Sequence, residues 1–439
     1  MGGAELIAAV RDGDAEAIRR LTDAGADPDT AAEDGLPLLC AAIAAYDAEA
    51  AEALVEGGAN PDRPLPDGTT PLLRAIEAGS PAVFGSALGR DPGVRLRGPQ
   101  GERALATARN WYERSRSAPG ERIRISDGEY RDVDELTLDG RTVRAGHGAI
   151  LTELEWALRI LTPVDELAAR AVVHPDPSHT DWWAALYVLI QRPSQQTWSA
   201  VAALRHHPDP AHRRFAADVL RSLTLFRGSS MHTYEKETSE LFAVWATEET
   251  DGRVLAEVLE AWAGEYDHPD MVTVGLAYTE HPHPSVRGAV TSCLYTKPLD
   301  PRARAALLAL AGDVDVEVRA GACRTLGENH DGSPEVREAL LALARDADAG
   351  VRAVTADVLS ECDDRDPAVA DALFALLDEE NQLVRVIAAY GLSRHDDPRT
   401  PGAIERVGPL EAGLEHDHRW SRLWQWNWNR RNSSAATEE

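Results

Sequence analysis

The chain has 439 residues, an apolar share of 44% and a net charge of −28 at pH 7. The apolar share is that of a folded soluble protein. The excess of acidic residues argues against a nucleic-acid partner, because phosphates favour a basic surface. No apolar run approaches the length of about 18 residues that a membrane span needs, and the first residues lack the pattern of a signal peptide. We therefore expect a cytoplasmic protein that does not bind membranes.

Cysteine and lysine usage also restricts the class of protein. The cysteines lie singly in apolar stretches, which predicts buried, unpaired side chains rather than disulfides. They are Cys40, Cys293, Cys323 and Cys362. Lys236 and Lys297 are the only lysines, and this preference for arginine is typical of a GC-rich bacterial genome.

The first part of the chain repeats a unit of about 33 residues. Residues 25–29 (Gly-Ala-Asp-Pro-Asp) recur at 58–62 (Gly-Ala-Asn-Pro-Asp), each after two short amphipathic stretches. Gly25 favours the left-handed conformation that ends a helix, and Pro28 prevents the helix from continuing. A fixed period of this size is typical of a solenoid, in which each repeat buries its apolar face against its neighbours.

This region resembles the ankyrin repeat family. Residues 70–72 (Thr-Pro-Leu) match the family's helix start, where proline suits the first turn, and residues 67–68 (Asp-Gly) form the turn before it. Leu73 replaces the family's histidine. Three repeats and a weaker fourth one, from Gly101, are expected to fill residues 1–117. The resemblance implies a surface that binds proteins.

Residues 118–148 interrupt the helical pattern. Residues 122–125 (Arg-Ile-Arg-Ile) alternate as a half-exposed strand does, and residues 139–140 (Asp-Gly) are a favoured hairpin turn. We therefore predict a small β-hairpin insert or linker. Residues 90–131 hold ten arginines against six acidic residues, which either balance neighbouring acidic helices or dock an acidic partner.

From residue 149 to 417, helical stretches alternate with short acidic or proline-containing turns. A Val-Arg pair recurs at residues 318–319, 351–352 and 384–385. The spacing of acid, Val-Arg and a following Ala-x-x-x-Leu resembles the HEAT repeat family, including its PBS-lyase-like and armadillo-like members. The layout as a whole is similar to that of actinobacterial ankyrin–HEAT proteins. The predicted fold is mainly α, a tandem α-solenoid with a small β-hairpin insert.

The arginine of each repeat is expected to form one step of a structural ladder. It can bind the carboxylates and the last carbonyl groups of the turn that precedes it. The members of this ladder are Arg253, Arg287, Arg319, Arg352 and Arg385.

The sequence lacks the usual catalytic motifs, such as a phosphate-binding glycine loop, a nucleophile elbow or a zinc-binding H-E-x-x-H helix. We therefore expect no catalytic residue, no cofactor and no metal. Histidines before proline, such as His174 and His207, are expected to end or cap helices. Trp182 and Trp183 could imitate the base-stacking residues of HEAT-fold DNA glycosylases, although core packing explains them more simply.

The segment 418–439 is basic and rich in tryptophan, and we expect disorder from residue 433. Trp420 and Trp424 share a helical face, whereas Trp424, Trp426 and Trp428 alternate as in a strand. The segment is either a cap on the last repeat or a peptide that docks on an acidic surface. Candidate binding residues in the chain are Trp420, Trp424, Trp426, Trp428, Arg430, Arg431, Trp182, Trp183 and Met231.

These observations predict a non-catalytic protein-binding scaffold or adaptor that uses its concave surfaces to bind a protein or peptide. One alternative is an acidic inhibitor or immunity-like protein that wraps a basic toxin or nuclease. Another is a HEAT-fold enzyme or accessory factor that modifies a peptide or nucleic acid, with an insertion near Met231 at the edge of its site.

Overall fold

The computed structural model of the protein describes residues 2–128, 131–225, 234–265, 268–330, 332–411 and 413–435. The chain divides into two compact units, residues 1–231 and 232–439. Both consist mainly of short antiparallel helices, and a small antiparallel sheet belongs to the first. The predicted fold class is therefore confirmed.

The first unit begins with helix pairs in which one helix of each pair packs against its counterpart in the next. Leu6, Leu38 and Leu72 lie in the buried core of these pairs. The helices of this region are α1 (Gly3–Asp12), α2 (Ala15–Asp23), α3 (Leu38–Ala44), α4 (Ala48–Glu56), α5 (Pro71–Ala78), α6 (Pro81–Leu88), α7 (Pro92–Arg95) and α8 (Pro99–Ser117).

Side chains at the helix starts determine where these helices begin. Asp14 and Asp47 accept hydrogen bonds from the backbone amides of Ala17 and Ala50 at the starts of α2 and α4. Thr70 caps α5 in the same way, with Pro71 in the first turn. These contacts satisfy amides that would otherwise lack a partner in the first turn.

Three strands follow, in the order β1 (Ile123–Ser126), β2 (Asp132–Leu138) and β3 (Arg141–Arg144). The turn between β2 and β3 is the predicted one, because Asp139 and Gly140 both have positive φ angles, of 52° and 75°. The predicted hairpin is thus present, and β1 extends it to an antiparallel sheet of three strands.

The sheet is joined to the helices that follow it. The amide of Asp132, at the start of β2, donates to the carbonyl of Ser178, just before a helix. The helices that complete the first unit are α9 (His147–Ala157), α10 (Val164–Ala171), α11 (Thr180–Ile190), α12 (Gln195–Ala203) and α13 (Pro210–Leu225).

The second unit has two layers of helices. From α15 to α23 the odd-numbered helices pack side by side, and α16 to α22 form a second row of even-numbered helices. The helices are α14 (Glu235–Glu248), α15 (Gly252–Glu265), α16 (Met271–Ala277), α17 (Pro284–Cys293), α18 (Pro301–Leu310), α19 (Val316–Glu328), α20 (Pro334–Leu343), α21 (Ala349–Glu361), α22 (Pro367–Ala375), α23 (Gln382–Arg394), α24 (Thr400–Val407) and α25 (His418–Ala435).

The cysteines are all buried and unpaired, as predicted. Burial raises the pKa of the Cys293 thiol to about 12 and that of Cys323 to about 11. These thiols therefore remain protonated at neutral pH. No helix in the described part of the chain is both long enough and apolar enough to cross a bilayer.

Candidate functional site

Arg287, Arg319 and Arg352 each lie one turn into their helix and donate through Nε, Nη1 and Nη2. Nη1 of Arg319 donates to the carbonyl oxygens of Asp313 and Val314, at 2.9 and 3.3 Å. Nε and Nη2 donate to the two carboxylate oxygens of Asp346, at 2.8 and 2.9 Å. One arginine therefore fixes the turn before its own helix and binds the corresponding turn of the next repeat.

The same two-pronged contact joins three successive steps. Arg287 binds Asp313 at 2.7 and 2.8 Å, and Arg352 binds Glu379 at 2.6 and 2.9 Å. The sequence-based prediction placed the carboxylate in the turn that precedes the arginine, and this assignment is wrong. Each carboxylate comes from the following repeat, because the acid of the preceding turn already binds the previous arginine.

The two aspartates in each of the turns 313–315 and 346–348 have different functions. Asp313 Oδ1 accepts from the amide of Asp315 while both its oxygens bind Arg287. Asp315, two residues later, caps α19 by accepting from the amides of Glu317 and Val318. The Asp-x-Asp spacing thus supplies one carboxylate for the ladder and one for the helix start.

The ladder changes character at its two ends. Arg253 is exposed, and among the described residues its side chain has no hydrogen-bond partner. In the three ladder contacts, the carboxylate lies six residues before the next ladder arginine. For Arg253 that position is His281, which offers no carboxylate. Arg385 binds the carbonyl oxygens of Glu379 and Glu380, both at 2.7 Å, without a carboxylate among the described residues.

These contacts alter the acidity of the carboxylates. The hydrogen bond from the Arg287 guanidinium lowers the pKa of Asp313, and the bond from Arg319 lowers that of Asp346. Asp313 and Asp346 therefore stay ionised well into the acidic range.

Helix α25 packs on α23, at the end of the array, through one face. Leu423 is fully buried. Arg419 Nη2 donates to Asp357 at 2.5 Å, and Arg422 Nη1 donates to the hydroxyl of Tyr390 at 2.9 Å. These contacts fix the first half of the helix to α21 and α23.

The other side of α25 exposes tryptophans. The side chains of Trp424 and Trp428 are 63% and 55% exposed, and Trp420, one turn before them, is half-buried. Residues four apart lie on one helical face, so these three form a single surface, which we name the tryptophan face. Trp426 lies off this face, half-buried, with the Arg430 guanidinium 5.4 Å from its ring centroid.

The structure corrects two expectations about this segment. The alternation of Trp424, Trp426 and Trp428 does not form a strand, since all three lie in α25. The helix continues to Ala435, beyond the expected start of disorder, and residues 436–439 lie outside the described part of the chain. The backbone of Arg431 also lies in this helix.

The other predicted binding residues are spread over the first unit. Trp182 is 1% exposed and donates its indole N–H to Asp218 at 2.8 Å, so this buried side chain cannot contact a partner. Trp183 is half-buried beneath the guanidinium of Arg131, 3.9 Å from its ring centroid. Met231 lies outside the described residues.

Sequence reasoning missed an apolar groove in the first unit. It has a volume of about 990 Å³ and is bordered by the turns that precede α10 and α12. Leu161, at its edge, is 70% exposed, and Arg192 Nη1 donates to the Thr162 carbonyl. The lining comes from two segments about 30 positions apart, residues 161–165 and 192–208, so no local sequence pattern could have indicated the groove.

Comparison with known proteins identifies the repeats. Residues 6–86 match ankyrin repeats, in three copies, and residues 272–360 and 304–393 match HEAT repeats. The chain therefore carries ankyrin repeats at 6–86 and HEAT repeats at 272–393, which confirms both resemblances. No curated protein matches the sequence.

Solved structures give more distant similarities. The crystal structure of the Escherichia coli protein YibA has 18% identity and a TM-score of 0.42, over 56% of this chain and 92% of that one. The structure of the Pds5–Scc1 complex has 10% identity and a TM-score of 0.28, over 94% of this chain and 73% of that one.

Proposed function

We propose that the protein is a non-catalytic scaffold that binds a protein partner through the tryptophan face of α25. The observation that carries this proposal is the exposure of Trp424 and Trp428 on a helix whose opposite face is fixed. Large exposed aromatic side chains that lie together mark interaction surfaces. Tryptophan and arginine are also the residues that contribute most to binding energy at protein interfaces.

The charge of the helix specifies the partner. Residues 418–436 contain four arginines and no acidic residue, in a chain whose net charge is −28. An interface gains specificity and association rate when opposite charges meet. The partner that fits is a protein with an acidic surface around an apolar groove that receives the two indole rings.

The test compares three proteins in quantitative affinity capture. The double variant Trp424→Ala/Trp428→Ala removes the tryptophan face. Gln425→Ala is the matched control, because Gln425 is exposed on the same helix. We expect the wild type and the control to retain an acidic partner, and the double variant to bind the purified partner at least about 10-fold more weakly, the loss of one interface hot spot.

Two results would contradict this proposal. One is a set of captured proteins that the double variant leaves unchanged. The other is tryptophan-dependent binding to anionic phospholipid vesicles without any protein partner, since Arg-Trp helices also suit membrane interfaces.

The acidic charge of the last repeats favours a second candidate, the inhibitor that wraps a basic protein. Residues 300–417 hold 25 acidic residues against 12 basic ones. Glu317, Glu338 and Glu380 are exposed. Replacing these three by glutamine would weaken binding of a basic partner, whereas the tryptophan variant would not. Equal binding by both variants would exclude this candidate.

A further inference from the structure

A buried cluster of two histidines and two aspartates joins the sheet to α11 in the first unit. Asp134 comes from β2, His174 from the turn after α10, and His179 and Asp181 from the start of α11. The side chains of His179 and Asp181 are 0% and 2% exposed, and those of Asp134 and His174 are 10% and 11% exposed. Ionisable groups buried together in this way need compensating partners.

The local sequence explains how these groups meet. Residues 174–179 read His-Pro-Asp-Pro-Ser-His, and the two prolines keep this turn out of a helix. Asp132 and His179 form a parallel bridge that brings β2 to the turn. The imidazole rings of His174 and His179 stack with centroids 3.9 Å apart.

The outer atoms of the cluster are already held. Asp181 Oδ1 accepts from the amide of Ala149 at 2.6 Å, and its Oδ2 lies 3.2 Å from His174 Nδ1. Asp134 Oδ1 accepts from Arg124 Nε at 2.9 Å. The inner atoms His174 Nε2 and Asp134 Oδ2 face each other at 3.2 Å.

His179 contributes a nitrogen that the protein leaves unpaired. Its Nδ1 accepts from the amide of Asp181 at 3.1 Å. Its Nε2 is buried and has no hydrogen-bond partner among the described residues. Asp134, His174 and His179 can each offer one ligand atom, and these atoms all lie within 4.8 Å of one another.

We propose that Asp134, His174 and His179 bind a divalent transition-metal ion, and that this ion is zinc. Two imidazoles and a carboxylate are ligands that zinc accepts, with water in the fourth position. Asp181 would then hold His174 Nδ1–H and direct Nε2 to the metal, the usual arrangement of a carboxylate behind a metal-bound histidine. This proposal departs from the expectation that the chain binds no metal.

One ring must adjust for zinc to bind. A histidine that binds zinc through Nε2 carries its proton on Nδ1, whereas Nδ1 of His179 accepts from the Asp181 amide. Asp181 Oδ2 lies 3.9 Å from the same Nδ1. We infer that the ring shifts when zinc binds, so that Nδ1–H donates to this carboxylate and no longer accepts from the amide.

The cluster has one metal-free alternative. His174 lies between Asp134 and Asp181, with a ring nitrogen 3.2 Å from a carboxylate oxygen of each, and can bridge the two without a metal. The two explanations differ over His179, because a His174 bridge does not require the Nε2 atom of His179.

The test measures zinc binding by the full chain after removal of metals with a chelator. We expect one tightly bound equivalent in calorimetry and, with cobalt in place of zinc, the intense visible absorption of a four-coordinate site. His179→Asn is the decisive variant, because asparagine also caps a helix start but lacks Nε2. It should weaken zinc binding by about 100-fold or more, beyond the loss caused by removing an outer partner.

A second His-Pro-Asp-Pro-x-His turn provides the control. His207 and His212 stack at 3.8 Å, and Asp209, whose side chain is 46% exposed, contacts His212. His212→Asn should leave the bound equivalent unchanged. No zinc binding by the wild type, or equal binding by the wild type and His179→Asn, would overturn the proposal and leave the His174 bridge as the explanation.

Discussion

Arginine side chains connect neighbouring repeats because each one has five donor hydrogens in a fixed plane. Arg319 directs one nitrogen to two carbonyl oxygens and two others to a carboxylate. The pair is largely buried, with side-chain exposures of 15% for Arg319 and 11% for Asp346. Loss of the arginine would leave the Asp346 carboxylate and two carbonyl groups without their partner.

Arg319→Ala should therefore reduce the free energy of unfolding by about 2–3 kcal/mol, as expected when one partner of a largely buried ion pair is removed. Arg253→Ala is the control from the same array, because that side chain is exposed. Its effect should stay within about 0.5 kcal/mol. Urea unfolding of both variants checks this, and equal effects would show that the ladder contact does not contribute.

Asp364 should make stability depend on pH. Burial opposes its ionisation, but hydrogen bonds from Arg337, the Asp366 amide and His330 outweigh burial and lower its pKa to about 2. The unfolded pKa is about 3.9, so this contribution is present above pH 4 and is lost as the pH falls from 4 to 2. It amounts to about 2 kcal/mol.

Asp364→Asn should accordingly flatten the decline in unfolding free energy between about pH 4 and about pH 2. Asp363→Asn, whose side chain is 89% exposed, should leave the decline as in the wild type. Unfolding curves at several pH values make the comparison. A parallel decline in all three proteins would exclude a contribution from Asp364.

At the residue scale, the sequence predicts the hydrogen-bond donors of the ladder better than it predicts their acceptors. The Val-Arg spacing predicted the positions of Arg287, Arg319 and Arg352, but the carboxylates of Arg319 and Arg352 were assigned to the wrong repeat. The correct acceptor is 26 or 27 residues away, beyond any local pattern. The same difficulty affects Trp182, since its partner Asp218 lies 36 positions later.

Among the elements, α25 shows how tertiary contacts decide between two periodicities. If the alternating tryptophans formed a strand, it would need a neighbouring strand to pair with. The element beside this segment is the helix α23. Arg419 binds Asp357 of α21, Arg422 binds Tyr390 of α23, and Leu423 is buried. These three positions share one face only with helical spacing. The predicted hairpin of residues 136–143 was accessible from sequence because its turn chemistry is local. The pairing of β2 with the turn before α11 was not.

Leu423→Ala should detach α25 from the array. Loss of a buried leucine side chain costs about 2–5 kcal/mol, and at a terminal helix the cost should appear as local opening. Hydrogen exchange should become faster in residues 418–435 while α15 to α21 keep their protection. Gln425→Ala, on the exposed side, should leave exchange unchanged. Faster exchange throughout the second unit would contradict this assignment.

At the scale of the whole molecule, net charge and ion pairs respond oppositely to salt. A net charge of −28 produces self-repulsion that salt screens. The ladder contacts are short and largely buried, and screening affects such pairs much less.

We therefore expect the melting temperature to rise when salt increases from about 10 mM to about 150 mM, since the screening length then falls from about 30 Å to about 8 Å. Thermal unfolding at low protein concentration, with sodium chloride as the salt, checks this expectation. A fall in melting temperature would show that exposed ion pairs outweigh the self-repulsion.

The arginine ladder also allows whole repeats to be deleted from the HEAT array or added to it. Each repeat supplies a donor to its successor and an acceptor to its predecessor, at nearly constant offsets. Deletion of residues 320–352 would place Arg319 at the distance from Glu379 that Arg352 has in the present chain. Duplication of the same segment would give an arginine–carboxylate contact at each junction. Recombination of whole repeats can therefore lengthen or shorten the array while each arginine at a junction keeps a carboxylate partner.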